Sequence, residues 1–283
     1  MTAETIIPGL VGPGTQPENE DGATLDYMEM PRDMVTFHQP LAPEPEDTLG
    51  MEEAKALLNQ MADDLANYKI DSSALTYSLN SLAPKDLGLI NQIMGEGEVS
   101  IVCGTRYQAQ ESVLAGVWRV VEITGKDNQI SDNIEVAAYP DSIFNETFKT
   151  AAETIELDST FPEGVRNAPP VLSEIKDKVA NYRAGQPCHA INLTLLPQTD
   201  EDIAYLAEKL GVGTTIILSR GYGNCRVSST MTKNVWWVQY FNSQDATILN
   251  SIEIVDLPDV VRAAQEDILD SAERLSEIME VYK

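Results

Sequence analysis

The chain has 283 residues, with 45 acids against 19 bases and a formal net charge of −26, long enough to bury a core in one large domain or two ordinary ones. That balance argues against nucleic acid and against anionic membrane surfaces, since both are met by lysine and arginine. Three cysteines without paired spacing exclude a disulfide framework and fit a reducing compartment; with no basic-then-apolar leader and no run of ~18 apolar residues, the sequence reads as cytoplasmic.

Residues 1–50 hold seven of the fifteen prolines, ten acids and a single base, Arg32. Such a stretch buries too little apolar surface to offset its ordering entropy. It reads as an acidic, proline-rich tail over 1–25, followed by an extended arm over 26–45 that carries Met34, Val35, Phe37 and Leu41.

The elements then come in two similar series, units 51–158 and 159–283. A helix opens each: Met51, Ala54, Leu58, Met61, Leu65 and Tyr68 recur at three and four, as do Val171, Ile175, Val179 and Tyr182. A short strand follows, Ala74–Asn80 or Ala190–Leu195, then a second helix, Lys85–Met94 or Asp200–Leu210. Thr199 and Asp202 form a capping box for the latter, and Gly95 and Gly211 stand where a glycine closes a helix. Next is a hairpin, Val99–Cys103 with Val113–Ile123, and Thr215–Ser219 with Val227–Phe241. A further strand follows, Ile134–Ala138 or Ile248–Val255. A last helix closes each series, the second with an apolar stripe of Val261, Ala264, Ile268, Ala272, Leu275 and Met279.

The two series match residue by residue. Tyr68 returns as Tyr182, Gly97 as Gly213, Trp118 as Trp236 and Pro140 as Pro258, at offsets of 114, 116, 118 and 118. Four motifs in one order with a slowly growing offset indicate duplication. The expected fold is α+β: two fused, pseudo-symmetric repeats, each helix-strand-helix-hairpin-strand-helix, with a mainly antiparallel sheet.

No pattern here supports catalysis or a metal. The Gly-x-Gly pairs follow a helix and precede a strand, the reverse of a phosphate cradle. His38 and His189 are the two histidines, and His189 and Cys188 point to opposite sides of an extended segment. No cofactor is expected. The two copies differ most at their hairpin tips. Arg220-Gly221-Tyr222-Gly223-Asn224-Cys225-Arg226 stands opposite Arg106–Ser112, which carries Gln110 and Glu111. Glycine and asparagine are what a tight turn needs, but Tyr222, Cys225 and two arginines exceed that need. An arginine beside Cys225 favours thiolate and makes it the candidate reactive thiol. Trp237 stands where the first copy has Arg119, either buried against the other copy or anchoring a partner.

Several long segments resemble the HupH family of hydrogenase expression/formation proteins, also named HyaF or HoxQ. They are Gly95–Ile101 (GEGEVSI), Gln110–Val120 (QESVLAGVWRV), Leu218–Arg226 (LSRGYGNCR), Asn234–Asn242 (NVWWVQYFN) and Gln265–Leu275 (QEDILDSAERL). The likeness runs from about Asp26 to Ile278, with Leu114 where the family has Phe and Gln265 where it has Pro. The resemblance implies a cytoplasmic, non-enzymatic accessory chaperone for an uptake [NiFe]-hydrogenase. It would bind the immature small-subunit precursor during iron–sulfur cluster assembly and before export, with a thioredoxin-like accessory protein as co-partner. Partner-binding residues are then expected at Arg220, Tyr222, Asn224, Cys225, Arg226, Trp237, Gln110 and Glu111. The alternative is a thiol-dependent enzyme or a metal or cluster carrier that uses Cys225.

Overall fold

The computed structural model describes residues 43–125, 129–220 and 224–282. Tail and arm residues 1–42 lie outside it, and so does Tyr222 with its flanking glycines.

The first half contains α1 (Glu52–Asn67), β1 (Leu75–Ser78), α2 (Pro84–Met94), β2 (Val99–Cys103), β3 (Tyr107–Glu111), β4 (Val117–Thr124), β5 (Gln129–Val136) and α3 (Asp141–Thr147). The second contains α4 (Ala168–Asn181), β6 (His189–Asn192), α5 (Asp200–Leu210), β7 (Thr215–Ser219), β8 (Asn224–Ser229), β9 (Val235–Phe241), β10 (Thr247–Ile254) and α6 (Gln265–Glu280). The class is α+β. All ten strands form one antiparallel sheet in the order β1-β5-β4-β3-β2-β7-β8-β9-β10-β6. Read inward from its own edge, each half has the same succession of strands. The halves join through β2 and β7, where Ile101 faces Ile217 at the centre of the register. The two units therefore share a continuous sheet.

Strand alternation gives the sheet two faces. On one, Val117, Ile134 and Val136 pack under α1 and α2, and Val235, Ile252 and Ile254 under α4 and α5. On the other, Ile101, Cys103, Trp118, Val120, Ile217, Val227, Trp236 and Val238 form a central cluster. It is closed by Tyr139, Ile143, Val255, Leu257 and Val261, from the segments that follow β5 and β10. Each closing segment then crosses to the opposite half. Helix α6 lays Ile268, Ala272, Leu275 and Met279 into the core beside α1. Ala152 bonds the backbone of Met231 and Lys233, and Ile155 enters the core beneath α4.

Each half has four meandering strands where the sequence reading has a hairpin and one further strand. Residues 106–112 are expected at a hairpin tip; the turn is instead made by residues 104–106, with Gly104 at φ +56° and the Arg106 N–H donating to the Cys103 carbonyl, and β3 starts at Tyr107. Val227–Phe241 is two strands joined by a turn at positive-φ Asn234. The closing helix of the first half is only Asp141–Thr147, and α6 begins at Gln265, so Val261 and Ala264 precede it. Gly95 and Gly211 do end α2 and α5 at φ +54° and +65°. Their ψ values of −161° and 172° are extended, not left-handed helical. Gly97 and Gly213 answer to close approach: a Cβ at Gly97 would sit 2.2 Å from the Ser112 carbonyl oxygen, and one at Gly213 2.6 Å from that of Thr230.

Candidate interaction surface

The singled-out residues divide between the two faces of the sheet. Cross-strand pairing links Arg119, Gln110, Ser100, Leu218, Arg226 and Gln239 in one row running from β4 to β9. The adjacent row is Val121, Gln108, Val102, Ile216, Ser228 and Trp237. Gln110, Arg226 and Trp237 thus share the helix-bearing face. Asn224, two residues before Arg226 on β8, points the same way. Arg220 is exposed just beyond the end of β7, where its N–H donates to Glu98.

Cys225 and Glu111 face the other side. Cys225 is 3% exposed within the central cluster. Alternation puts its thiol and the Arg226 guanidinium on opposite faces, so the neighbouring arginine has no access to the sulfur. The expected thiolate is corrected: burial, more than the nearby Glu253, pushes the Cys225 thiol up to about 11, against a lowering hydrogen bond with Tyr240. Cys188 is exposed, yet burial of its sulfur and the adjacent Glu253 push its thiol up to about 12. Neither is a ready nucleophile near neutral pH.

Glu111 was expected at a loop tip but ends β3 and is half-buried. It lines a groove of about 220 Å³ with Cys225, Tyr240, Arg262 and Asp267. Burial raises its carboxyl to about 7; the Gly116 N–H opposes the rise, and Glu98 and Asp267 add to it. The folded chain therefore holds this proton more tightly than the unfolded chain, whose carboxyl titrates near ~4.3. Stability contributed at this position falls as pH rises through that window, from ~4.3 to ~7. Glu111→Gln is expected to match the parent near pH 4 and to exceed it by about 3–4 kcal/mol at pH 8. Urea unfolding at both pH values checks this, and equal stability at pH 8 would mean a solvated carboxylate.

Gln110 is a structural ligand: its amide donates to the carbonyls of Gly97, Val99 and Glu111. Trp237 is half-buried against the core of its own half, not against the other copy, and its indole N–H donates to Asn250. Its counterpart Arg119 makes a two-pronged ion pair with Asp132, at 3.0 and 2.6 Å. One long side chain and its polar partner on the next strand thus replace another. The sequence reading missed the apolar residues between these positions. Val102 is 46% exposed and Leu218 42%; only the pairing of β2 with β7 reveals that they adjoin. Among the described residues no group of three or more His, Cys, Asp or Glu side chains could hold a metal, and no helix is long and apolar enough to cross a membrane.

The family profile described as HupH hydrogenase expression protein, C-terminal conserved region, matches residues 51–157 and again 165–282. The chain is 44% identical over 273 residues to the hydrogenase expression/formation protein HoxQ of Cupriavidus necator, covering 95% of each. It is 43% identical over 284 residues to HupQ of Azotobacter chroococcum mcd 1, covering 99% of each. To the hydrogenase-1 operon protein HyaF of Escherichia coli K12 it is 32% identical over 274 residues, covering 95% of this chain and 94% of that one.

Proposed function

This chain belongs to the HupH family of hydrogenase expression/formation proteins, and from that premise we propose that it is a cytoplasmic accessory chaperone of hydrogenase maturation. A role in maturation follows the family. Within it, the client is the immature small subunit of an uptake [NiFe]-hydrogenase, held while its iron–sulfur clusters are assembled and before export. A thioredoxin-like accessory protein is the co-partner, and the chain itself catalyses nothing.

The observation that carries this reading beyond the family is the placement of Arg226 and Trp237 with Val102 and Leu218 on one broad, open sheet face. A surface of that kind suits a macromolecular client better than a small substrate, which needs enclosure. The rival reading, a thiol enzyme or cluster carrier, is weakened by the burial of Cys225 and its raised thiol. We also read the two halves as copies of one unit. Their matching strand succession, the Ile101–Ile217 centre and the two matches to one family profile support this.

Affinity capture of the tagged chain from cells expressing the hydrogenase operon is expected to retain unprocessed small subunit, and Cys225→Ser to retain it equally. Absence of the precursor would sink the chaperone reading, and loss on Cys225→Ser would revive the thiol carrier.

A further inference from the structure

Among the described residues, the helices leave a strip of the sheet uncovered. Helices α1 and α2 sit over β4 and β5, and α4 and α5 over β9 and β10. Between them β3, β2, β7 and β8 present Gln108, Gln110, Ser100, Val102, Ile216, Leu218, Arg226 and Ser228. On the two central strands three of the four residues facing this way are apolar: Val102, Ile216 and Leu218. A solvated face of an antiparallel sheet is ordinarily polar, and adjoining exposed apolar side chains mark a contact site.

Geometry selects the occupant. Each of these four strands is hydrogen-bonded on both sides, so a partner strand has no free edge here and side chains alone must hold the ligand. Four strands about 4.8 Å apart make a floor about 14 Å wide, walled by helices. One α-helix, about 10–12 Å across with its side chains, fills that width.

Charge selects its flank. With a net charge of −26, most of this molecule repels carboxylates. On the strip, Arg226 is exposed and has no ion-pair partner among the described residues, in contrast to Arg119, which is neutralised by Asp132. Arg220, also exposed and without an ion pair among those residues, stands at the end of β7.

We propose that this strip seats one amphipathic helix of the small-subunit precursor, its apolar stripe on Val102, Ile216 and Leu218 and a carboxylate of its flank on Arg226. The assignment rests on that precursor being the client.

The test co-expresses tagged full-length chain with the precursor and compares variants. Val102→Asp combined with Leu218→Asp is expected to lower the retained precursor about tenfold or more, and Arg226→Glu alone at least about threefold. Leu195→Asp, at a site 81% exposed and off the strip, is expected to change nothing. A photoreactive amino acid at position 218 is expected to form an adduct with a helical, acid-flanked segment of the precursor, which keeps the test valid if the double variant folds poorly. Retention unchanged in Arg226→Glu and in the double variant, or an adduct mapping to a loop or a basic segment, overturns the strip while leaving the client in place. No retention by the parent chain overturns both.

Discussion

Truncation of Trp118 or Trp236 to alanine is expected to cost about 3–5 kcal/mol at either site, the range for a buried tryptophan. Their exposures are 0% and 1%. The indole N–H of Trp118 donates to the Ala137 carbonyl at 3.0 Å, and that of Trp236 to the Val255 carbonyl at 3.2 Å. Each ring also has an edge-on aromatic neighbour, Tyr139 at 6.0 Å and Phe148 at 5.0 Å, a geometry that adds to area burial. Both rings fasten the sheet to the segment that crosses to the other half, so their loss loosens the union of the halves as well as the local core. Phenylalanine restores most of the packing but leaves a buried carbonyl without its donor, at about 1–2 kcal/mol. Denaturant unfolding should therefore rank alanine below phenylalanine below the parent at both sites. A loss under about 1 kcal/mol for either alanine variant would place that ring outside the core.

How much of this was legible follows from what each signal reports. Helices α1, α4 and α6 stood out because their apolar residues recur at three and four, which one chain segment displays unaided, and α5 because Thr199 with Asp202 opens it and Gly211 closes it. The buried tryptophans were legible from their recurrence at an offset of 118. Strand β3 was missed because Tyr107 and Ala109 are its two buried residues and both neighbours on the other face are glutamine; alternation that weak resembles a loop. Cys225 was misjudged for a related reason. Arg226 is adjacent to it in sequence, but a strand sends adjacent side chains to opposite faces, and the Gly-Tyr-Gly run before Asn224 reads as turn and gives no sign of where the strand begins. The open strip could not be read at all. Whether Val102 and Leu218 are covered depends on where helices land across the whole sheet, and their adjacency depends on the pairing of β2 with β7. The crossing of α6 to the first half is equally non-local, for its stripe shows that it is buried and not against what.

Asp202→Ala is expected to be the most damaging polar substitution in the second half, at about 3–5 kcal/mol. The sequence suggests only the capping box with Thr199, which is present: Asp202 N–H donates to Thr199 Oγ1 at 3.0 Å, and Thr199 N–H to Asp202 Oδ2 at 3.1 Å. The other carboxylate oxygen does more. Oδ1 accepts from the N–H groups of Arg166, Asn167 and Ala168 at 2.8, 2.8 and 2.9 Å, which gathers the start of α4 onto the start of α5. A helix start carries N–H groups with no partner inside the helix, and here one fully buried side chain answers for those of two helices. Burial alone would raise its carboxyl, but those four N–H donors outweigh burial and hold it at about 2. Because the folded-state value is depressed, the stabilisation is complete above the unfolded value of ~3.9 and is lost as pH falls toward ~2. The gap between parent and Asp202→Ala should thus be widest near neutral pH and should narrow in acid. Asp202→Asn, which keeps one acceptor but not the charge, should fall between them. Asp86 holds the matching place in the first half, where among the described residues Oδ1 accepts from Ala54 N–H at 3.1 Å. With a single donor left unpaired, Asp86→Ala should cost about 1–2 kcal/mol. Chemical denaturation of the two alanine variants side by side decides the matter. Equal losses would mean that the donors around Asp202 find water once the carboxylate is gone, and that its cluster of bonds contributes no more than one of them.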